Sequence, residues 1–318
     1  MTTPSDKRVA VAPLLFTLLL FLLPFPYATG PRVAGAVPYV GRCAVFPRNN
    51  AWNIRVDGLP VHPRSAAYVR SIGLNDYTHP DFGSGLWDGG PIGIPFNMVT
   101  KATRRVFPSF YYGDESERGP YPVPRRGVKV EWGSDHHVLA VDRDTCTLYE
   151  IYDFSMDGTG RVSAGSGAIW NLTSNKLRPA GWTSADAAGL PMLPGLARYG
   201  EMQAGAIKHA LRFTAAATQK KFVWPARHFA SDSTDPNLPP MGLRLRLKKS
   251  FDISSFPKQT QVILQALKTY GMMLADNGAP WFISGAPHAG WDNDDLHSLH
   301  RVLGKNYEVV DMSSVRKY

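Results

Sequence analysis

SFPKQTQVILQALKTYGMMLADNG, residues 255–278, decides how this chain reads as a fold. Val262, Ile263, Ala266, Leu267 and Tyr270 recur at helical spacing and form one apolar stripe, the pattern of a helix laid on a core. Pro257 stands where a first turn tolerates a missing N–H, and Gly278 can end the helix. The stretch predicts one long amphipathic helix. A strand, PWFISG (280–285), follows. A second helix is expected over Asn293–Leu303, with Asp294 and Asp295 at its positive end.

Upstream, short runs with strand character dominate from about residue 121 to 250. They are GVKVEW (127–132), HVLAVD (137–142), TLYEIYDF (147–154), HALRFT (209–214), KFVWPA (221–226) and GLRLRLKK (242–249). The last alternates, with Leu243, Leu245 and Leu247 facing one way and Arg244, Arg246 and Lys248 the other. From Cys43 to about 120 the text is turn-rich, with one short helix near Pro63–Ser71 that Gly73 can cap. GSGLWDGG (83–90) runs into Pro91 and Pro95 instead of a helix, so it is no dinucleotide fingerprint. No linker-like composition and no fixed repeat divide the chain. The expected fold is mainly β (α+β): an antiparallel β-sandwich or jelly-roll-like core with the long C-terminal helix packed on it. The expected mature chain is a single domain, residues 37–318, with a β-rich core at about 121–250 and a helical part at about 255–304.

Residues 1–36 read as a secretory signal, with Lys7 and Arg8 before the apolar run VAVAPLLFTLLLFLL (9–23). Pro13 and Pro24 interrupt that run, and small residues place cleavage within 28–36; an uncleaved membrane anchor is the alternative. Cleavage would remove Lys7, Arg8, Arg32 and Asp6 from a chain of net charge +9, leaving it basic and open to an acidic partner. The 2 cysteines, Cys43 and Cys146, fit one disulfide in an exported chain, with two separate buried thiols as the alternative. The arginines are scattered, so no nucleic-acid partner is expected.

Few residues suit chemistry. In SAGSGAIW (163–170) Gly165 and Gly167 directly flank Ser166, which reads as a turn and not a nucleophile elbow. DHH (135–137) and the pair His297 and His300 are the metal candidates, but neither carries a zinc-protease pattern, so no metal or other cofactor is expected. Carboxylates remain, and the chain holds six Glu against twenty Asp. Aspartates abound in turns for local reasons, whereas a Glu inside a strand is less expected. Glu150 lies among Tyr149, Ile151 and Tyr152, and Glu201 lies in LARYGEMQAG. Aromatic surroundings desolvate a carboxyl and raise its pKa, as a general acid requires. Asp153 is three residues from Glu150, so on a regular strand the two face opposite sides. An arginine salt bridge is the competing reading of each Glu.

GWTSADAAGLPMLPGL (181–196) has neither strand nor helix periodicity, yet it is too apolar for disorder. Thr183 and Asp186 stand at capping-box spacing. The segment is expected to be a stiff wall delivering Tyr199 and Glu201. Trp170, Trp182 and Trp224 fall in the same half of the chain, and WPARH adds Arg227 and His228. Indole faces near carboxylates suit sugar rings, with core packing as the competing reading of each Trp.

The strings CAVFPRNNAWN, SNKLRPAGWTSADAAGLPMLPGLARYGEM, HALRFT, PPMGLRLRLK and ALKTYGMMLADNG carry a resemblance to a family of secreted, mostly bacterial proteins without an assigned activity. The resemblance implies export and a single domain and names no chemistry. The functional expectation therefore rests on the residues: an exported glycoside hydrolase acting on a polysaccharide, an acidic one being compatible with the basic charge. Glu150, Glu201 and Asp153 are its expected catalytic carboxylates. Trp170, Trp182, Asp186, Tyr199, Arg212, Trp224 and His228 are its expected substrate contacts. A polysaccharide lyase with His228 or Tyr199 as base and Arg212 neutralising a uronate, and a non-catalytic glycan-binding protein, are the alternatives.

Overall fold

The computed structural model describes residues 1–2 and 35–315; the basic n-region and apolar run of the expected signal lie outside them. Described residues 35–315 belong to one compact unit. Its elements in chain order are α1 (Ser65–Ile72), β1 (His79–Asp81), β2 (Phe96–Val99), β3 (Val138–Asp142), β4 (Thr147–Tyr152), β5 (Ser166–Asn171), α2 (Tyr199–Gln203), β6 (Leu211–Ala215), β7 (Arg244–Leu247), α3 (Lys258–Thr269), β8 (Met272–Asn277), β9 (Phe282–Ser284), α4 (Asn293–His297) and β10 (Tyr307–Val309), with short ribbons between them.

The 255–278 stretch is not one helix. α3 ends at Thr269, and Gly271 turns the chain into β8. Gly271 holds φ 69°, and a Cβ there would lie 2.0 Å from the Leu245 carbonyl oxygen, so only glycine fits. The apolar stripe is real up to that point: Ile263, Ala266 and Leu267 are buried. Beyond it, MMLA is buried because it is a central strand. The second helix is also shorter than expected, since α4 passes into a 3-10 turn over Ser298–Arg301.

Two larger sheets result. Four strands pair in the order β5-β4-β3-β2, and six in the order β10-β7-β8-β6-β9-β1. The fold is β-rich α+β, as expected, but the pairing is mixed. β2 runs parallel to β3, β6 to β8, and β9 to β1. An all-antiparallel core is thereby corrected. No strand forms over 127–132 or 221–226, where only Phe222 makes an isolated bridge to Met241. The SAGSG stretch, expected as a turn, is strand on both sides of Gly165.

β7 lies inside the larger sheet with both faces covered, so its alternation does not separate core from solvent. Leu245 and Leu247 are fully buried, and Arg244 and Arg246 are buried as well. Arg244 donates to the Tyr270 and Ala51 carbonyls at 2.8 and 2.9 Å, and Arg246 pairs with Glu308 at 2.8 Å. Buried guanidinium groups are tolerated only when their donors are satisfied in this way.

Cys43 and Cys146 form the expected disulfide across 103 residues, tying the ribbon Tyr39–Ala44 to the β3–β4 hairpin. Among the described residues no helix is long and apolar enough to cross a membrane. Replacing both cysteines by serine is expected to lower the unfolding free energy by roughly 2–5 kcal/mol, read by denaturant unfolding. An unchanged midpoint would contradict a stabilising role for the crosslink.

Candidate functional site

The apolar segment 181–196 is a wall, but a buried one. Residues 188–196 are all buried, and no helix starts at Thr183, so the capping-box reading is corrected. Ser184 Oγ accepts the Asp186 N–H at 3.0 Å and lies 2.6 Å from the Leu190 carbonyl, closing a tight loop. Ala188 N–H donates to Ala275 of β8, and Arg227 N–H donates to Ala188 O. This loop is pinned to the large sheet, and it delivers Asp186.

Asp186 meets a guanidinium from β6. Arg212 binds it through two parallel contacts, Nε–Oδ2 at 2.7 Å and Nη2–Oδ1 at 2.8 Å. The same guanidinium donates to Ser284 Oγ of β9 at 2.7 Å and reaches Asp276 Oδ2 of β8 at 3.3 Å. Three neighbouring strands and one loop thus converge on a single buried cation. The Asp186 side chain is fully enclosed, and that of Asp276 is 24 % exposed. Burial, then the Asp186 charge beside it, pushes the Asp276 carboxyl up to about 7. Its protonated form hydrogen-bonds Asp186.

Asp186 and Asp276 form part of the lining of a cavity of about 390 Å³. Glu115, Asp135, Tyr112, Tyr152, His228 and Asn277 also line it. His228 is fixed by Nδ1 at 2.8 Å from the Ala187 carbonyl, which leaves Nε2 3.9 Å from Glu115. Glu115 Oε2 accepts the Thr183 N–H at 2.8 Å. Behind the cavity, buried His137 pairs with Glu131 and donates through Nε2 to Ala185 O at 2.8 Å. Burial opposes a charge on His137, but Glu131 prevails and raises its pKa to about 9. That ion pair braces the residue next to Asp186.

The glutamates expected to meet do not share a cavity. Glu150 is fully buried and accepts N–H bonds from Met192 and Leu193 at 2.9 Å and from the Trp170 indole at 3.0 Å. Burial raises it to about 7 against those donors. Glu201 lines a different cavity and is held by Arg198 at 2.6 Å and His209 at 3.0 Å. Burial alone would raise it, but Arg198 and His209 outweigh that and hold it down to about 2. Asp153 stands just past the end of β4 at φ 50°, near His136 and accepting from the Tyr111 hydroxyl at 3.1 Å.

Of the expected substrate contacts, Asp186 and His228 line the cavity, and Arg212 supports its floor. Trp170 and Trp182 instead flank the Arg178 guanidinium, 5.6 and 5.4 Å from the ring centroids. Arg178 in turn pairs with Glu117 and donates to the Glu115 carbonyl, so these indoles position one wall. Tyr199 stacks on His288 elsewhere, and Trp224 packs against the core. Asp276 and Glu115 are the functional candidates that sequence reading missed. The signal for Asp276 was the polar end, ADNG, of an otherwise apolar run. Among the described residues no group of three or more His, Cys, Asp or Glu is arranged to hold a metal ion. His297 and His300 keep their rings 5.4 Å apart, and His300 turns to His79.

Comparison with family models, with curated proteins and with solved structures finds no match.

Two outcomes are expected here. Glu150→Gln turns an amide N–H toward one of three N–H donors and should destabilise by about 1–3 kcal/mol in chemical unfolding; an unchanged midpoint would refute the anchoring role. Carbon-13 titration of Asp276 should read near 7, and Asp186→Asn should move it down by removing the like charge and freeing Arg212. An upward or absent shift would refute the coupling.

Proposed function

We propose that this protein is an exported carbohydrate-active enzyme, a glycoside hydrolase, with Asp276 as its proton donor. The observation that carries the reading is a carboxyl at the edge of solvent in a polar cavity, beside a second, enclosed carboxyl on one guanidinium, with burial and that neighbour pushing it up to about 7. A general acid works best when its pKa lies near the working pH. The disulfide fits an oxidising compartment.

In this reaction the Asp276 proton passes to the glycosidic oxygen as its bond to the anomeric carbon breaks. Asp186 and Asp276 contact the same Arg212 nitrogen, at 2.8 and 3.3 Å, and Asp186 is fully enclosed and spent on that guanidinium, so it is not the second carboxylate. Its role is to keep the proton on its neighbour. Glu115, steadied by Thr183 and near His228, is then the carboxylate that takes a proton from the attacking water. Tyr112 and Tyr152 supply ring surface for the sugar. Arg212 is committed to Asp186, Asp276 and Ser284, which argues against a lyase that needs it for a uronate.

Non-catalytic glycan binding is the second reading. Exposed Trp87, Phe107, Tyr111 and Trp132 favour it, as do glutamates consumed in structural contacts.

The test is reducing-end release from a polysaccharide panel by wild type and Asp276→Asn. Wild type should be active, with a rate that falls as pH rises through about 7 because only protonated Asp276 donates. Asp276→Asn should lose about 10²-fold or more. Full activity in the variant would remove Asp276 from the chemistry. Glycan retention without product from any polymer would favour binding.

A further inference from the structure

A second, larger depression lies apart from the carboxylate cavity. One part encloses about 1030 Å³ and the next about 500 Å³. Phe96, Met98, Arg198 and Gly200 line both, so the two adjoin across a shared wall and offer consecutive seats along one face. A groove that continues past one pocket suits a strand better than a small molecule.

Its charge is one-sided. Lys129 and Lys208 line it and are exposed. Among the described residues neither lysine makes an ion pair. Among the described residues the only carboxylate in the lining is Glu201, already answered by Arg198 and His209. The Lys129 main chain is held on both sides by Asn97, whose amide donates to its carbonyl at 2.9 Å and whose oxygen accepts its N–H at 2.8 Å. One cation is therefore fixed relative to β2 at its backbone.

A flat ring faces the same space. His288 stacks on Tyr199 with centroids 4.2 Å apart and planes 9° off parallel. Trp291 meets the edge of Tyr199 at 5.3 Å. His288 Nδ1 accepts the Gly290 N–H at 2.9 Å, so Nε2 carries the proton and is free to donate. A supported ring face with a donor at its edge is a sugar platform, and lysines beside it recognise carboxylates.

We propose that this groove binds a carboxylated glycan, a polyuronate-type strand, with one ring on His288 and carboxylates at Lys129 and Lys208. The carboxylate cavity, lined by Glu115 and Asp135, would repel such a strand, so the groove is an anchoring site and does not depend on the chemistry at Asp276. Duplex nucleic acid is less suited, because among the described residues the lining offers two ammonium groups outside ion pairs and one exposed imidazole, too few for a phosphate track.

The test is affinity electrophoresis of the full mature protein through gels containing polygalacturonate, its fully methyl-esterified form, or duplex DNA. Polygalacturonate should retard wild type, and the retardation should weaken with salt. Lys129→Glu with Lys208→Glu should weaken binding about tenfold, with an unchanged melting temperature because both side chains are exposed. His288→Ala should weaken it severalfold. Equal retardation by the esterified polymer, tighter retardation by DNA, no retardation by polygalacturonate, or an unaffected charge-reversal variant would each overturn the proposal. None of these outcomes bears on whether Asp276 cleaves a glycosidic bond, so the two readings fail separately.

Discussion

The Arg212 guanidinium is the constraint on which the rest of the site depends. It is buried, and its fork reaches a loop carboxylate, a carboxyl from β8 and a hydroxyl from β9. Burying a cation is unfavourable unless its donors are answered, and removing one partner of such a set costs about 3–5 kcal/mol. That penalty keeps the 184–190 loop against the sheet. The same geometry brings two carboxyls together beside one cation. One carboxyl takes the parallel pair of contacts; the other, buried beside that charge, is pushed up to about 7.

The loop needs a second attachment, and Glu150 provides it. Its carboxyl gathers two N–H groups at the start of the 3-10 turn Leu193–Gly195 and the indole of Trp170. The apolar wall thus has one carboxylate tie at each end, Asp186 to Arg212 and Glu150 to the 192–193 amides. Residues 188–191 between them are buried and close the core behind the cavity, while half-buried Ala187 lines it. Trp170 and Trp182 extend the support outward by holding Arg178, and Arg178 holds the segment bearing Glu115.

Much of the fold was legible where a local pattern had a single cause. The stripe of Val262 to Tyr270 marked α3, and TLYEIY marked β4. The helix overran its end because Met272, Met273 and Leu274 continue an apolar run that a helix and a buried strand share. Only the close approach of Leu245 to Gly271 separates the two, and that contact is invisible in one dimension. The Leu/Arg alternation of β7 marks a strand but not its burial, since Arg246 finds Glu308 on a neighbouring strand. Glu150 was correctly singled out as a carboxyl in apolar surroundings. Its partners lie 42 and 43 residues away, and they decide between anchoring and catalysis. Asp276 was hidden among twenty aspartates because nothing in ADNG reveals that Asp186 will stand beside it.

Neutron diffraction from deuterium-exchanged crystals grown near pH 6 tests the central claim most directly. The account requires one deuteron on Asp276, directed at Asp186, with Arg212 fully deuterated against both. Two ionised carboxylates at that pH, or a guanidinium turned away from Asp186, would contradict it.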